Sequence, residues 1–353
     1  MRYFKKSLLF LVLLLLSIAL LTAALFEPFT MDIMFREAKQ ENCRSIVLGQ
    51  SLSQVGINSH MLGTEEAPCY NFSRGAMDLR CMEALLKEAD WELDLQTVYL
   101  NLDTSYWDET DWLAQMGGVE ANDVVSLYYR SVRHFANPRY QLAVLANQPF
   151  GNILMPYTLD GTTLRKMPGN LKARLSGRGD NLLDLDKLKD TSHNYVYEGL
   201  GFSRGVETNV TQEQRQAILS GQDSFSRDFV PENVPDYALR SFREIVSYCR
   251  DQHITLICFS SANIPELYPL LNYDTAHDYF AGICQEAGVP YYDMSYVSLS
   301  LLPRSLDDYV DVSCHMMGDL ADRQTRLLLE ILSSPDPDSY FEKDYQSLLN
   351  EIQ

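Results

Sequence analysis

Apolar residues run unbroken near the start of the chain and then recur in short blocks separated by polar or amphipathic stretches. From Ser7 to Phe26 no charge interrupts a run rich in Leu, Ile, Val, Ala and Phe. About 20 apolar residues is the length an α-helix needs to cross a hydrocarbon core of roughly 30 Å, so the pattern predicts a transmembrane helix over 7–26. Further on, Arg44–Gly49 is an apolar run closed by glycine and predicts a buried strand. Asn71–Asp90 places Met77, Cys81, Met82, Leu85, Leu86 and Ala89 at helical spacing, and Thr97–Leu102 predicts a second strand. The rhythm resumes with a helix over Tyr237–Gln252, whose face carries Leu239, Phe242, Ile245, Val246 and Cys249. The strand Ile254–Ser260, a helix over Thr275–Ala287, the strand Val289–Met294 and a helix over Gly318–Leu332 complete it.

Strands alternating with amphipathic helices predict a parallel sheet covered on both faces. The fold class expected is therefore α/β: a three-layer sandwich around a central, mostly parallel sheet, preceded by one transmembrane helix. The core spans 44–104 and 236–333. The stretch 105–235 breaks the rhythm. It is polar, rich in Tyr, Asn and Gly, with helical signals only near Glu109–His134, and reads as a large insertion serving as a cap or substrate-binding region. A structureless loop of that length is improbable in a compact domain. Residues 334–353 read as a Pro-stopped tail with a short helix.

Charge sets the orientation. Residues 1–6 form a short tail carrying Arg2, Lys5 and Lys6, which keeps the N-terminus cytoplasmic and exports everything after the span. A cleaved signal peptide, cut near Thr22-Ala23-Ala24, is the rival reading, but its apolar region is typically only 7–15 residues. The expected location is thus the plasma membrane, single-pass, with residues 27–353 extracytoplasmic. The formal net charge is −19, and because the leader holds three positive charges the remainder carries −22. Nothing there recruits phosphates, so nucleic acid is excluded as a partner. With 46% hydrophobic residues the exported part can bury a sizeable core. Seven cysteines show no C-x-x-C spacing, which leaves no disulfide framework and no zinc site in view; they read as small buried hydrophobes. No metal or organic cofactor is indicated.

In parallel α/β sheets ligands sit beyond the carboxyl ends of the strands. Gly49-Gln50-Ser51 ends the first strand, Asn71-Phe72-Ser73-Arg74-Gly75 follows, Asn101 ends the second strand, and Asp311-Val312-Ser313-Cys314-His315 precedes the last helix. A serine at one strand end and an Asp/His pair in a later loop suit nucleophilic catalysis: the hydroxyl needs an adjacent imidazole to take its proton, and a carboxylate orients the imidazole. Three of these residues also have a plain structural reading: Ser51 as a helix cap, Gly75 as a permissive backbone position and His315 as a loop histidine.

On these residues the sequence resembles the SGNH/GDSL hydrolase family. In particular it is similar to a membrane-anchored branch related to D-alanyl-lipoteichoic-acid assembly and polysaccharide O-acetylation proteins. The resemblance covers about 44–103 and 237–333. It implies Ser51 as nucleophile, His315 as general base, and Gly75 and Asn101 as oxyanion-hole donors beside the Ser51 backbone N–H. The family's usual Asp before the Ser is Gln50 here, its usual Asp three before the His is Val312, and the Gly two before Asn101 is Tyr99. Asp311 or Asp308 must therefore orient the base, or Ser51 and His315 act as a dyad. The implied function is a serine esterase or O-acyltransferase acting on acyl esters of a cell-envelope glycopolymer, a polysaccharide or teichoic-acid-like polymer, beside a multi-pass membrane acyltransferase. The alternative is a non-catalytic envelope-assembly protein with a degenerate site. Apart from this, Arg165, Lys166, Lys172, Arg174 and Arg178 form a basic stretch that would either attract an anionic polymer or lipid headgroup or pair with Asp180, Asp184 and Asp186; the second reading is preferred.

Overall fold

The computed structural model describes residues 2–25, 29–75, 77–107, 113, 118–134, 137–149, 153, 161–178, 188, 194–221, 228–344, 347–348 and 350. In chain order the helices are α1 (Arg2–Leu25), α2 (Thr30–Gln40), α3 (Ser51–Gly56), α4 (Ser59–Leu62), α5 (Leu79–Leu93), α6 (Gly118–His134), α7 (Pro138–Asn147), α8 (Gly161–Leu175), α9 (Gln212–Leu219), α10 (Asp236–Asp251), α11 (Tyr273–Ala287) and α12 (Gly318–Ser333). The strands are β1 (Ser45–Leu48), β2 (Cys69–Asn71), β3 (Thr97–Asn101), β4 (Tyr195–Gly199), β5 (Phe202–Gly205), β6 (Thr255–Ser260) and β7 (Tyr291–Asp293). They divide between two compact units: Met1–Arg36 with Leu113–Lys187, and Glu37–Trp112 with Leu188–Gln353.

The larger unit is mixed α/β around a five-stranded sheet in the order β2-β1-β3-β6-β7, with every pair parallel. Alternation along each strand assigns its side chains to two faces. Val47, Tyr99, Ile257 and Phe259 join Leu320, Ala321, Leu328 and Ile331 of α12 in one buried cluster. Ile46, Leu48, Val98, Leu100 and Cys258, all fully buried, serve the other face. Each such Val, Leu, Ile or Phe side chain stabilises the fold by about 1.5–3 kcal/mol relative to exposure. On that second side α5 and α10 are tied together, Ser241 Oγ donating to Glu83 Oε2 at 2.9 Å and Tyr248 to Asp90 Oδ2 at 2.8 Å. On the first, α12 is tied to α3 and the loop after it: Gln324 donates to the Gly56 carbonyl at 2.9 Å, and the Asn58 N–H donates to Thr325 Oγ1 at 3.0 Å. Helices on both faces fit the expected sandwich. Strand order reverses between β1 and β3, and the loops leaving these two strands flank the crevice where such sheets bind ligands.

The expected helix over Asn71–Asp90 begins later. Asp78 caps α5 by accepting the N–H groups of Arg80 and Cys81; of the expected span only Asn71 lies in β2, which is too short to show a period. The region 105–235 is not one insertion. Leu113–Lys187 belongs to the smaller unit, whereas 194–221 lies in the larger one and holds the hairpin β4–β5. Gly201, at φ +77, turns that hairpin where an added Cβ would meet the Asn71 carbonyl oxygen at 1.8 Å, and the Asn71 N–H donates to the Leu200 carbonyl at 2.8 Å. Only glycine fits so close an approach.

In the smaller unit, Arg130 Nε donates to Asp32 Oδ1 at 2.9 Å with its guanidinium 4.1 Å over the Phe35 ring. Tyr140 of α7 donates to the Val124 carbonyl of α6 at 2.9 Å. Among the described residues no helix is long and apolar enough to cross a membrane. α1 carries the apolar run, with Leu8, Leu9, Phe10, Leu13, Leu16 and Leu20 all exposed. Phe26, the last residue of the expected span, lies outside the described residues, as do Asp180, Asp184 and Asp186. All seven cysteines are buried and none is in a disulfide.

Candidate active site

Ser51 is placed by the way β1 meets α3. An added Cβ at Gly49 would sit 2.0 Å from Ser53 Oγ and 2.9 Å from Asn101 Cβ, so this turn admits no side chain. Gln50 follows in extended conformation as the N-cap of α3. Its buried amide ties two loops to this turn, Nε2 donating to the Met77 carbonyl at 2.9 Å and Oε1 accepting from Ser105 Oγ at 3.0 Å. Gln50 thus has a structural role of its own at the position where the family pattern has Asp. Ser51 opens the helix, half-buried, and lines a cavity of about 280 Å³.

His315 enters the same cavity from the loop before α12. That loop is pinched at its base: the Val310 N–H donates to the His315 carbonyl at 2.7 Å, and the Met317 N–H to the Asp308 carbonyl at 2.9 Å. Within it the Asp311 carboxylate accepts the Ser313 N–H at 2.9 Å and the His315 N–H at 3.4 Å. Cys314, at φ +67, makes the left-handed turn that folds the imidazole back. Asp311 Oδ2 then lies 2.7 Å from His315 Nδ1 and Oδ1 lies 2.9 Å away. Tyr195 of β4 stands edge-on to the imidazole, ring centroids 6.5 Å apart, and the Asn209 N–H braces the loop through the Val310 carbonyl at 2.7 Å.

Of the carboxylates weighed from sequence, Asp311 is the one that faces the histidine. Asp308 is engaged elsewhere, with Arg323 at 2.8 Å and the Ser305 N–H at 2.9 Å. Ser51 and His315 line one cavity, but no hydrogen bond joins them among the described residues. Gly75 and Asn101 do not line it. Asn101 is fully buried, donating to Ser261 Oγ at 3.1 Å, and borders a second, smaller cavity beside the first. Among the described residues, its chain neighbours apart, nothing lies within 4 Å of where a Gly75 side chain would start.

Two further groups went unnoticed in the sequence. Asp103, just past β3, lines both cavities. Burial pushes its carboxyl above the ordinary carboxylate range, while hydrogen bonds from Ser105 and the charge of His315 pull the other way. Its place two residues after a strand-end Asn was the available signal. His277 of α11 pairs with Asp293 at the end of β7, Nδ1 to Oδ2 2.9 Å, a second His–Asp contact whose partners are too far apart in sequence to suggest one another. The basic residues Arg165, Lys166, Lys172, Arg174 and Arg178 lie on and just after α8, in the smaller unit, and are exposed. Comparison with protein-family models gives no match, and comparison with curated proteins gives none either.

Proposed function

We propose that this chain is a membrane-anchored serine esterase or O-acyltransferase of the SGNH type, acting on acyl esters of a cell-envelope glycopolymer. The observation that carries the reading is the orientation of His315: Asp311 holds Nδ1 at 2.7 Å, so Nε2 is the nitrogen left for a proton from Ser51, which lines the same cavity. In the reaction, Ser51 Oγ attacks the ester carbonyl carbon as His315 Nε2 takes the hydroxyl proton. The tetrahedral intermediate collapses, the ester C–O bond breaks, and the imidazolium returns the proton to the departing alcohol. Water, or a hydroxyl of an acceptor, repeats the sequence and releases Ser51. The Ser51 backbone N–H is one donor for the oxyanion; a donor of this kind typically contributes about 3 kcal/mol.

Residues 7–26 serve as the anchor in this reading, supported by the uncharged run, the exposed apolar side chains of α1 and the basic residues ahead of them. The catalytic unit then stands outside the cytoplasmic membrane, where a multi-pass acyltransferase is the fitting partner. One observation favours the non-catalytic alternative, an assembly protein with a degenerate site: Ser51 and His315 are not hydrogen-bonded in the free protein. Catalytic hydrogen bonds often tighten only with substrate present, which leaves the enzymatic reading ahead.

The deciding experiment is active-site labelling of the full chain in detergent with a serine-directed fluorophosphonate. Modification at Ser51, abolished in both Ser51→Ala and His315→Ala, is the expected result. A protein that stays unlabelled and releases no acyl group from acetylated or aminoacylated glycopolymer would leave the assembly role standing.

A further inference from the structure

The end of β3 presents two acceptors that the fold leaves unanswered. Asn101 spends its Nδ2 on Ser261, and its fully buried Oδ1 has no partner. Asp103 accepts the Ser105 N–H on Oδ1 at 2.9 Å, and its Oδ2, also shut off from solvent, has none. A buried acceptor left unpaired costs about 1–3 kcal/mol, and more when charged. Two of them at one strand end call for a donor from outside the chain. Both residues line a cavity of about 40 Å³ together with Ser261, Asn263, Ser295 and the paired His277 and Asp293, and no Lys or Arg is among its described lining residues. This cavity shares Leu52, Asp103, Thr104, Asn263, Tyr273 and Ala276 with the one that holds Ser51 and His315.

We propose that the smaller cavity is a specificity subsite: it receives a hydrogen-bond donor, a hydroxyl or an ammonium group carried beside the ester carbonyl, onto Asn101 Oδ1 and Asp103 Oδ2. The inference rests on the reading of Ser51 as the nucleophile, because that fixes which cavity holds the ester. The volume admits one small polar group and excludes a long arm. A water molecule fits there in the free protein, since a buried water needs about one probe sphere of space and two to four polar partners, and the substrate's donor would displace it. An ester lacking the donor would strip both acceptors of a partner, which is how polar pockets reject analogues that lack the matching group.

The test compares ethyl acetate, ethyl glycolate and ethyl glycinate as substrates of the full chain in detergent. The expected preference in kcat/KM for the two donor-bearing esters over the acetate is on the order of ten- to a hundredfold. Asp103→Asn keeps its single amide oxygen on the Ser105 N–H and puts an NH2 donor in place of Oδ2, so it should retain the preference for the glycolate, whose hydroxyl can accept from it, and lose most of that for the glycinate. Asp103→Leu should bring both ratios close to one. Ratios unchanged in Asp103→Leu, or a wild-type protein indifferent to the donor, would overturn the subsite and leave a buried water as its occupant. If no ester turns over, the Ser51 reading fails instead. Binding of ethanolamine and ethylene glycol, followed by saturation-transfer NMR, then judges the acceptors alone: equal signals from wild type and Asp103→Leu would overturn them, and loss in the variant would uphold them.

Discussion

His315 turns its Nδ1 onto the carboxylate of Asp311, four residues earlier in the same loop, with the two oxygens at 2.7 and 2.9 Å. The pair is held by chain connectivity and by the pinched loop base, so it does not depend on distant elements staying in register. Both side chains are partly exposed, 23% for Asp311 and 19% for His315, and solvent screens part of their charge interaction. Orientation and choice of tautomer are therefore the main things Asp311 supplies.

Asp311→Ala should accordingly lower kcat of the proposed hydrolysis by about 10²–10⁴-fold with KM little changed, the pattern for a group that acts only in the transition state. Asp311→Asn should do nearly as much harm, because an amide favours the wrong ring tautomer. Steady-state kinetics on a small acyl ester checks both. A loss of less than about threefold would make Ser51 and His315 a dyad.

Cys314 stores the strain that makes this four-residue spacing work. A left-handed conformation at a non-glycine residue costs on the order of 1–3 kcal/mol. Cys314→Gly releases that strain and gives up a buried thiol, so stability by urea unfolding should stay within about 1 kcal/mol of the parent, with activity retained. Cys314→Val adds β-branching to the strained position and should lose about 1–3 kcal/mol together with much of the activity. Equal behaviour of the two variants would mean that the left-handed turn is not what positions His315.

Much of the sheet was legible because β1, β3 and β6 are long enough to show as apolar runs between amphipathic helices. Cys69–Asn71 pairs with β1 but has only three residues, too few for a period, and its last residue, Asn71, was read as the start of a helix that begins only after the Asp78 cap. The β4–β5 hairpin was hidden among polar residues because Tyr195, Tyr197 and Gly199 are only half-buried. That Ser51 and His315 meet at one cavity could be anticipated from their strand-end and pre-helix positions. The choice between Asp311 and Asp308 could not, since it depends on the fold of Cys314 and on Arg323 claiming Asp308. Asp103 offered only its place two residues after a strand-end Asn, and His277 offered no signal, because its significance comes from a partner that only the folded chain brings near.

The cysteines should be silent in the native protein. All seven are buried, and burial pushes the thiols of Cys43 and Cys249 up to about 12, where the reactive thiolate is scarce. A maleimide or disulfide reagent at neutral pH should modify them only after unfolding, and mild reductant should leave Tm unchanged. Rapid labelling of any one cysteine in the folded protein would show that its segment opens locally.

The His277 pair should make stability depend on pH. Burial lowers the His277 pKa, but the hydrogen bond to Asp293 and the charges of Asp293, Asp278 and Asp274 outweigh it, and the net shift is upward from 6.5. The groups facing the ring come from α11 itself and from β7 and the residues after it: Asp293 accepts from Tyr291 at 3.2 Å and from the Ser295 N–H at 3.0 Å, and Tyr296 lies with its ring centroid 4.0 Å from that of His277 while donating to Asp274. A group with a raised folded pKa stabilises the native state fully below its unfolded pKa, and that contribution is lost as pH rises through the folded value. His277→Gln should therefore lower Tm most on the acid side of 6.5 and progressively less as pH rises above it. Asp293→Asn, which removes the main charge partner, should flatten the same pH dependence. Thermal unfolding of the wild type and both variants across this range checks it. A difference between wild type and His277→Gln that grows toward alkaline pH would show that the neutral ring is the form the fold prefers, with burial rather than Asp293 in control.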